Sequence, residues 1–178
     1  MHLEEKTVSS ELIYHGKIID LRKDIAELEN GTEAVRELVV HSGGVCVVPV
    51  TETGDILFVK QFRYPFKEVL LEIPAGKIND GEEHYECGRR ELLEETGASC
   101  ENYEYLGVMY PSVAYLSEKI HMYLATGLSF SERHLDDDEF LDVVSIPMEK
   151  AVEMVMSNEI KDGKTQIAVL KAYYKLKK

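Results

Sequence analysis

The sequence predicts an α/β fold built as a sandwich. Strand-like and helix-like patterns are mixed along its 178 residues, and three stretches have the spacing of helices. An uninterrupted apolar run at residues 45–50 is typical of a central, buried strand. A hydrophobic content of 44% with 30% charged residues is ordinary for a globular protein, and the length suffices for one domain with a sizeable core.

The first elements form a small module of antiparallel strands. Residues 18–28 and 34–40 alternate loosely between polar and apolar side chains, and Asn30-Gly31 between them is a strong hairpin signal. The module is too short to bury a core of its own, so we expect it to pack on its neighbour or on a second subunit. Residues 1–42 are assigned to this module and residues 43–178 to the main domain.

The main domain is predicted to hold further strands and three helices. Strands are expected at residues 45–50, 56–62, 69–73, 103–110, 119–126 and 140–146, and helices at residues 84–96, 148–156 and 165–176. Gly97 directly follows the first helix and is typical of a helix C-terminus. An acidic loop at residues 135–139 precedes the last strand.

Composition and charge exclude several classes of function. A net charge of −13 argues against a general nucleic-acid binder, because that role needs basic surface to displace the counterions of phosphates. No apolar run approaches a membrane span, and the three cysteines have neither disulfide nor metal-ligand spacing. We therefore expect a cytoplasmic protein without nucleic-acid or membrane partners. An anionic substrate would need bound metal ions and a few arginines.

Three carboxylates crowd one face of the first predicted helix. Glu91 and Glu95 are one helical turn apart, and Glu94 lies on the same side of the helix. Such a face is either simply solvated or collects a hard cation such as Mg²⁺ or Mn²⁺ through its oxygens. The spacing alone leaves both interpretations open.

The surroundings of these carboxylates resemble the Nudix family. Its signature, Gly-x5-Glu-x7-Arg-Glu-U-x-Glu-Glu-x-Gly-U with U a bulky aliphatic residue, fits the chain except for the smaller Ala98 at the end. The matching residues are Gly76, Glu82, Arg90, Glu91, Leu92, Glu94, Glu95 and Gly97. The resemblance implies an α/β/α sandwich with a mixed sheet. It also implies that Mg²⁺ or Mn²⁺ is bound by Glu91, Glu95 and the backbone oxygen of Ala75.

The resemblance leaves the general base open. Nudix enzymes take this group either from the helix, here Glu94, or from a later acidic loop, here Asp137 or Glu139.

Arg90 of the same motif is expected to have a structural role. Because neighbouring residues on a helix are turned by about 100°, we expect Arg90 to point away from Glu91 and to orient Glu82 or the loop.

Flanking motifs are most similar to ADP-ribose pyrophosphatases. These motifs are residues 15–21, Asn30-Gly31, Arg36-Glu37, residues 44–50, residues 59–65 and residues 71–76. The resemblance implies cleavage of the pyrophosphate of ADP-ribose to AMP and ribose 5-phosphate. It further implies substrate contacts by Arg36, Arg63 and Glu118, and a homodimer that exchanges its N-terminal strands.

One loop departs from the pattern of this branch. Ser112-Val113-Ala114-Tyr115 stands where the branch has Ser-Pro-Gly-aromatic, and the loss of both Pro and Gly changes the allowed backbone angles of a loop that shapes the substrate pocket. Hydrolysis of another nucleoside diphosphate sugar, such as GDP-mannose, is therefore the first alternative. A non-catalytic nucleotide sensor is the second, and the intact glutamate set disfavours it.

Overall fold

The computed structural model describes residues 2–135 and 140–177. By its internal contacts the chain divides into two compact units. The first unit comprises Met1–Gly43 and Tyr110–Lys119, and the second comprises Gly44–Met109 and Ile120–Lys178. Across the described residues, no helix is long and apolar enough to cross a membrane.

The first unit is an antiparallel sheet of three strands in the order β1-β2-β3. Its strands are β1 (Lys6–His15), β2 (Asp20–Glu27) and β3 (Glu33–Val40). The predicted hairpin between β2 and β3 is confirmed: Gly31 has a φ of 79°, which favours glycine, and its N–H donates to the oxygen of Leu28 at 2.9 Å. Residues 110–119 join this unit through Val39, whose N–H donates to the oxygen of Tyr115 at 2.7 Å.

The second unit contains two sheets and three helices. Its elements are β4 (Gly44–Pro49), β5 (Asp55–Arg63), β6 (Glu68–Glu72), β7 (Ala75–Lys77), α1 (His84–Thr96), β8 (Ala98–Met109), β9 (Ile120–Phe130), β10 (Leu141–Pro147), α2 (Met148–Met156) and α3 (Gly163–Leu176). One sheet has the order β7-β4-β9-β8 and the other β10-β5-β6. The first is mixed, because β4 and β9 are parallel while the other neighbours are antiparallel.

Strand β4 separates two apolar cores. Cys46 and Val48 pack with buried residues of α2 and α3, whereas Val45 and Val47 pack with buried residues of α1. Alternate residues of a strand point to opposite faces, so helices cover the sheet on both sides. This arrangement is the predicted α/β/α sandwich, and it explains why the sequence of β4 is apolar throughout.

Several boundaries differ from the predictions. Strand β1 was not expected, because all of its residues are exposed and its sequence lacks the alternation of a half-buried strand. Strand β8 begins at Ala98, directly after α1, instead of residue 103. The short strand β7 was not expected, and it forms because Ala75 and Gly76 pair with β4.

The C-terminus of α1 lies at the predicted residue. Gly97 has a φ of 72°, and its N–H donates to the oxygen of Leu93 at 2.8 Å. A Cβ atom at this position would lie 2.5 Å from the oxygen of Ser131. The glycine therefore ends the helix and lets the next strand begin at once.

Candidate active site

The backbone at Gly76 touches the carboxyl group of Glu91. A Cβ atom on Gly76 would lie 1.9 Å from the carboxyl carbon of Glu91, so no side chain fits there. Glu91 is 7% exposed, which is low for a carboxylate. The requirement for glycine at this position of the predicted motif is therefore steric, because the missing side chain lets β7 approach the acidic face of α1.

Glu95 lies against the preceding residue of the same segment. The N–H of Ala75 donates to Oε2 of Glu95 at 3.1 Å, and Glu95 is only 2% exposed. A solvated face, the first interpretation of the carboxylate run, does not fit this burial. Burying a charged carboxylate is costly unless a counter-charge or donors compensate for it.

Arg90 joins the acidic residues on the helix and in the loop before it. Its Nε donates to Glu82 at 2.8 Å, and its Nη1 donates to Glu91 at 2.7 Å and to Glu94 at 2.8 Å. The expectation that Arg90 orients Glu82 is confirmed, whereas the expectation that it points away from Glu91 is wrong. The helical turn fixes only the direction of the Cα–Cβ bond, and the long arginine side chain bends back to its neighbour.

These contacts set the charge states of the pair. The hydrogen bond from Arg90 lowers the pKa of Glu82 to about 2, opposed by burial and helped by the backbone N–H of Asn79. The hydrogen bond with Glu82, together with Glu91 and Glu94, raises the pKa of Arg90. Three carboxylates, those of Glu82, Glu91 and Glu94, therefore share one arginine, which leaves the local charge negative.

A second ionic cluster lies at the end of β6. Nε and Nη2 of Arg63 donate to the two oxygens of Glu72 at 2.5 and 2.7 Å, and Lys164 also donates to Glu72. Burial opposes ionisation of Glu72, which is 2% exposed, but the hydrogen bond from Arg63 and the charge of Lys164 outweigh it and lower its pKa. The hydrogen bond to Glu72 raises the pKa of Arg63, and the charges of Asp162 and Glu95 contribute to this rise.

The donor set of α1 fits a hard divalent cation. Glu91 and Glu95 are buried carboxylates, and both lie against the backbone of Ala75–Lys77. Within residues 2–135 and 140–177, however, no three His, Cys, Asp or Glu side chains converge in a metal-binding geometry. Glu91 accepts a hydrogen bond from Arg90, and Glu95 accepts one from the N–H of Ala75.

The other predicted residues lie in different parts of the chain. In the first unit, Arg36 donates to Glu5 at 2.6 Å, and Oε1 of Glu118 lies 3.5 Å from Nδ1 of His41. In the second unit, Glu94 is on α1 beside Arg90. Asp137 and Glu139, the two candidate bases of the acidic loop, lie outside the described residues.

Three residues at the start of α3 were not anticipated as part of this region. Lys164 and Thr165 reach the segment that precedes β7, and Asp162 accepts hydrogen bonds from both of them. Asp162 just before an apolar-periodic stretch is a helix N-cap signal that the sequence does contain. The connection between the start of α3 and residues 72–73 had no sequence signal, because about half of the chain separates the partners.

Comparisons with known proteins match both the motif and the fold. The NUDIX domain family matches residues 40–167, and the nucleoside diphosphate sugar hydrolase N-terminal domain family matches residues 5–39. The chain is 44% identical to an ADP-ribose pyrophosphatase of Bacillus subtilis (strain 168), over 94% of this chain and 91% of that protein. It is 41% identical to a methanol dehydrogenase activator of Bacillus methanolicus, over 93% and 91% respectively.

A solved structure shares the architecture at low sequence identity. The crystal structure of an ADP compounds hydrolase superposes with a TM-score of 0.86 and covers 98% of this chain and 95% of that chain. The sequence identity is 20%, so this likeness concerns the fold alone. The predicted fold class is confirmed.

Proposed function

We propose, since the chain belongs to the Nudix family, that it hydrolyses the pyrophosphate of ADP-ribose with the help of a divalent metal. The observation that carries this proposal is the burial of Glu91 and Glu95 against the backbone at Ala75 and Gly76. Water attacks one phosphorus, the P–O bond of the anhydride breaks, and the products are AMP and ribose 5-phosphate. The relative named as an ADP-ribose pyrophosphatase, at 44% identity, supports this choice of substrate.

Glu91, Glu95 and the backbone oxygen of Ala75 would hold the ion, which we propose to be Mg²⁺ or Mn²⁺. When bound, the ion supplies positive charge to the diphosphate oxygens and activates water for attack on phosphorus. Carboxylate and carbonyl oxygens are the ligands that both cations prefer. A protein with a net charge of −13 needs such a cation to approach an anionic substrate.

Arg63 is proposed to bind the substrate. Its two hydrogen bonds to Glu72 use Nε and Nη2, and a guanidinium has five N–H donors, so donors remain for a phosphate or for stacking on a base. Glu72 thus fixes the plane of the guanidinium before substrate arrives. Arg36 and Glu118 of the first unit are proposed as further substrate contacts.

The general base is proposed to be one of Glu94, Asp137 and Glu139. Glu94 is 30% exposed, and its hydrogen bond from Arg90 holds it on the acidic face of α1. A base has to reach the attacking water before its pKa matters. Replacing each of the three by its amide would identify the base, because only the variant that lacks the base should lose kcat together with the acidic limb of the pH profile.

We also infer the assembly and the location. The chain is proposed to form a homodimer by exchange of N-terminal strands, with residues 1–42 as the dimerising module and residues 43–178 as the hydrolase domain. Apolar side chains that are exposed on β1, among them Leu12 and Ile13, support this assembly. A cytoplasmic location is supported by three free, buried cysteines.

A panel of sugar nucleotides tests the substrate. The protein with Mg²⁺ is offered ADP-ribose, GDP-mannose and other nucleoside diphosphate sugars, and kcat/KM is compared. We expect the highest value for ADP-ribose, with AMP among the products. GDP-mannose is the first alternative, because Val113 and Ala114 change the loop that shapes the pocket. Tight nucleotide binding without hydrolysis under any divalent metal would instead indicate a sensor.

A further inference from the structure

The start of α3 contains a buried hydroxyl with two defined partners. Thr165 is 0% exposed, and its Oγ1 donates to Oδ2 of Asp162 at 2.6 Å. The backbone N–H of Thr165 donates to the same oxygen at 3.0 Å. Asp162 therefore both caps the helix and holds the hydroxyl of Thr165 in place. The lone pairs of Oγ1 are thereby directed away from Asp162.

That oxygen accepts a hydrogen bond from the segment that leads into β7. The N–H of Ile73 donates to Oγ1 of Thr165 at 3.0 Å, and the contact is buried. A threonine hydroxyl can donate and accept at once, which no apolar side chain of the same shape can do. Without it, the N–H of Ile73 would lose this buried acceptor.

Lys164 fixes the neighbouring residue of the same segment. Its ammonium, on a side chain that is 12% exposed, donates to Glu72 and to Asp162, the latter at 3.0 Å. Glu72 in turn accepts two hydrogen bonds from Arg63. The start of α3 therefore holds both the side chain of residue 72 and the backbone of residue 73.

Residues 72–75 are anchored one after another by three different elements. Glu72 and Ile73 are held by α3, the oxygen of Pro74 accepts from the N–H of Val47 on β4 at 2.9 Å, and the N–H of Ala75 reaches Glu95 on α1. No regular secondary structure covers residues 73–74, so single hydrogen bonds from α3 and β4 hold the backbone there.

We propose that Thr165 is a positioning residue for the metal site. Its hydrogen bond with the N–H of Ile73 fixes the position of the following backbone, at Ala75 and Gly76, relative to the carboxylates of α1. This inference rests on the proposed function in one respect, since it takes those carboxylates and the oxygen of Ala75 as the metal ligands. Groups that orient metal ligands typically change metal affinity or activity by about 10- to 100-fold when they are lost.

The test measures Mn²⁺ binding directly, on metal-stripped protein, by the loss of the free-ion resonance in electron paramagnetic resonance. Thr165→Val keeps the shape and removes the hydroxyl, and we expect it to weaken Mn²⁺ binding by about tenfold. Thr165→Ser keeps the hydroxyl and should bind like the wild type. Val155→Ala is the control for stability, because it removes buried apolar volume from α2, which contributes no anchor to residues 72–75.

The outcomes separate this inference from the proposed function. Thr165→Val with wild-type Mn²⁺ affinity, or Val155→Ala with an equal loss of affinity at equal loss of thermal stability, overturns the positioning role. If the wild type binds Mn²⁺ but does not cleave ADP-ribose, and Thr165→Val loses Mn²⁺ affinity as expected, only the substrate is wrong. A wild type that binds no Mn²⁺ overturns both. Should Thr165→Val fail to fold, Asp162→Asn weakens the same chain of hydrogen bonds more gently, and wild-type affinity in it counts against the role.

Discussion

At the scale of single residues, the ion pair between Glu82 and Arg90 makes the fold sensitive to acid. Folding lowers the pKa of Glu82 from 4.5 to about 2, so the folded state favours the ionised form. This contribution is complete above the unfolded pKa and is lost as the pH falls through the folded pKa. Because solvent screens this pair, we expect the free energy of unfolding of the wild type to fall by only about 1 kcal/mol more than that of Glu82→Gln between neutral pH and acid, measured by urea denaturation.

A matched variant on the same helix controls for the general effect of acid. Glu86 is exposed in the first turn of α1, and Glu86→Gln should keep the pH dependence of the wild type. If Glu82→Gln and the wild type lose stability in parallel as the pH falls, the ion pair does not contribute as described.

The positions of single residues were predicted well where they belong to a motif. The hydrogen-bond partners of a long, flexible side chain were predicted poorly. The positions of Gly76, Glu91 and Glu95 in one cluster agree with the motif. The contact of Arg90 with Glu91 contradicted the helical-wheel argument, because five guanidinium donors can serve several carboxylates at once. The partners of such a side chain depend on its three-dimensional surroundings, so residue spacing does not predict them.

At the scale of elements, the close approach of β7 to α1 depends on Gly76. A Cβ atom there would lie 1.9 Å from the carboxyl group of Glu91, so Gly76→Ala has to displace the carboxylate or the strand. We expect about a hundredfold loss of kcat/KM, equivalent to about 3 kcal/mol of lost transition-state stabilisation, while the protein still folds. Steady-state kinetics with circular dichroism measures both properties.

Gly163→Ala is the control for this substitution. A Cβ atom at residue 163 would meet nothing within 4 Å, and its backbone lies at the start of α3 without a positive φ. Its kinetics should equal those of the wild type. Wild-type kinetics in Gly76→Ala would show that the contact with Glu91 is not needed for the reaction.

Most elements could be predicted because their patterns are local. The residues of α1 and α2 agree with the predicted bounds, since their ends coincide with Gly97 and with the strand before residue 148. Strand β1 escaped prediction because it is exposed along its whole length and buries no periodic face. Strand β7 has three residues, too few to show any period, and exists only through its pairing with β4.

At the scale of the whole molecule, the exposed apolar side chains of β1 predict self-association. Leu12 and Ile13 are 49% and 50% exposed on a strand that pairs on one edge only within the described chain. We expect light scattering after gel filtration to give twice the monomer mass of 20.2 kDa. Leu12→Lys should shift the protein towards the monomer, because it would place a charge in the proposed apolar interface.

Glu11→Gln, one residue away on the same strand, should stay dimeric. A wild type that elutes at 20.2 kDa at micromolar concentration would contradict the exchange of N-terminal strands.

Long-range contacts mark the limit of prediction at this scale. Thr165 and Ile73 are 92 residues apart in sequence and meet in a buried hydrogen bond. The sequence around neither residue predicts the other as its partner, because the hydrogen bond follows from how α3 packs on the sheet. The α/β sandwich and the family could be inferred from patterns and motifs, whereas the sheet order and the network that supports the site required the structure.

The dependence of turnover on metal and on Glu95 tests the central claim most directly. Metal-stripped protein is mixed with ADP-ribose before and after addition of Mg²⁺, and AMP is measured by chromatography for the wild type, Glu95→Gln and the exposed control Glu86→Gln. We expect no turnover without metal, full recovery with Mg²⁺ in the wild type and the control, and about a thousandfold lower kcat/KM in Glu95→Gln, equivalent to about 4 kcal/mol. Turnover by the metal-free protein, or a wild-type rate in Glu95→Gln, would contradict the account.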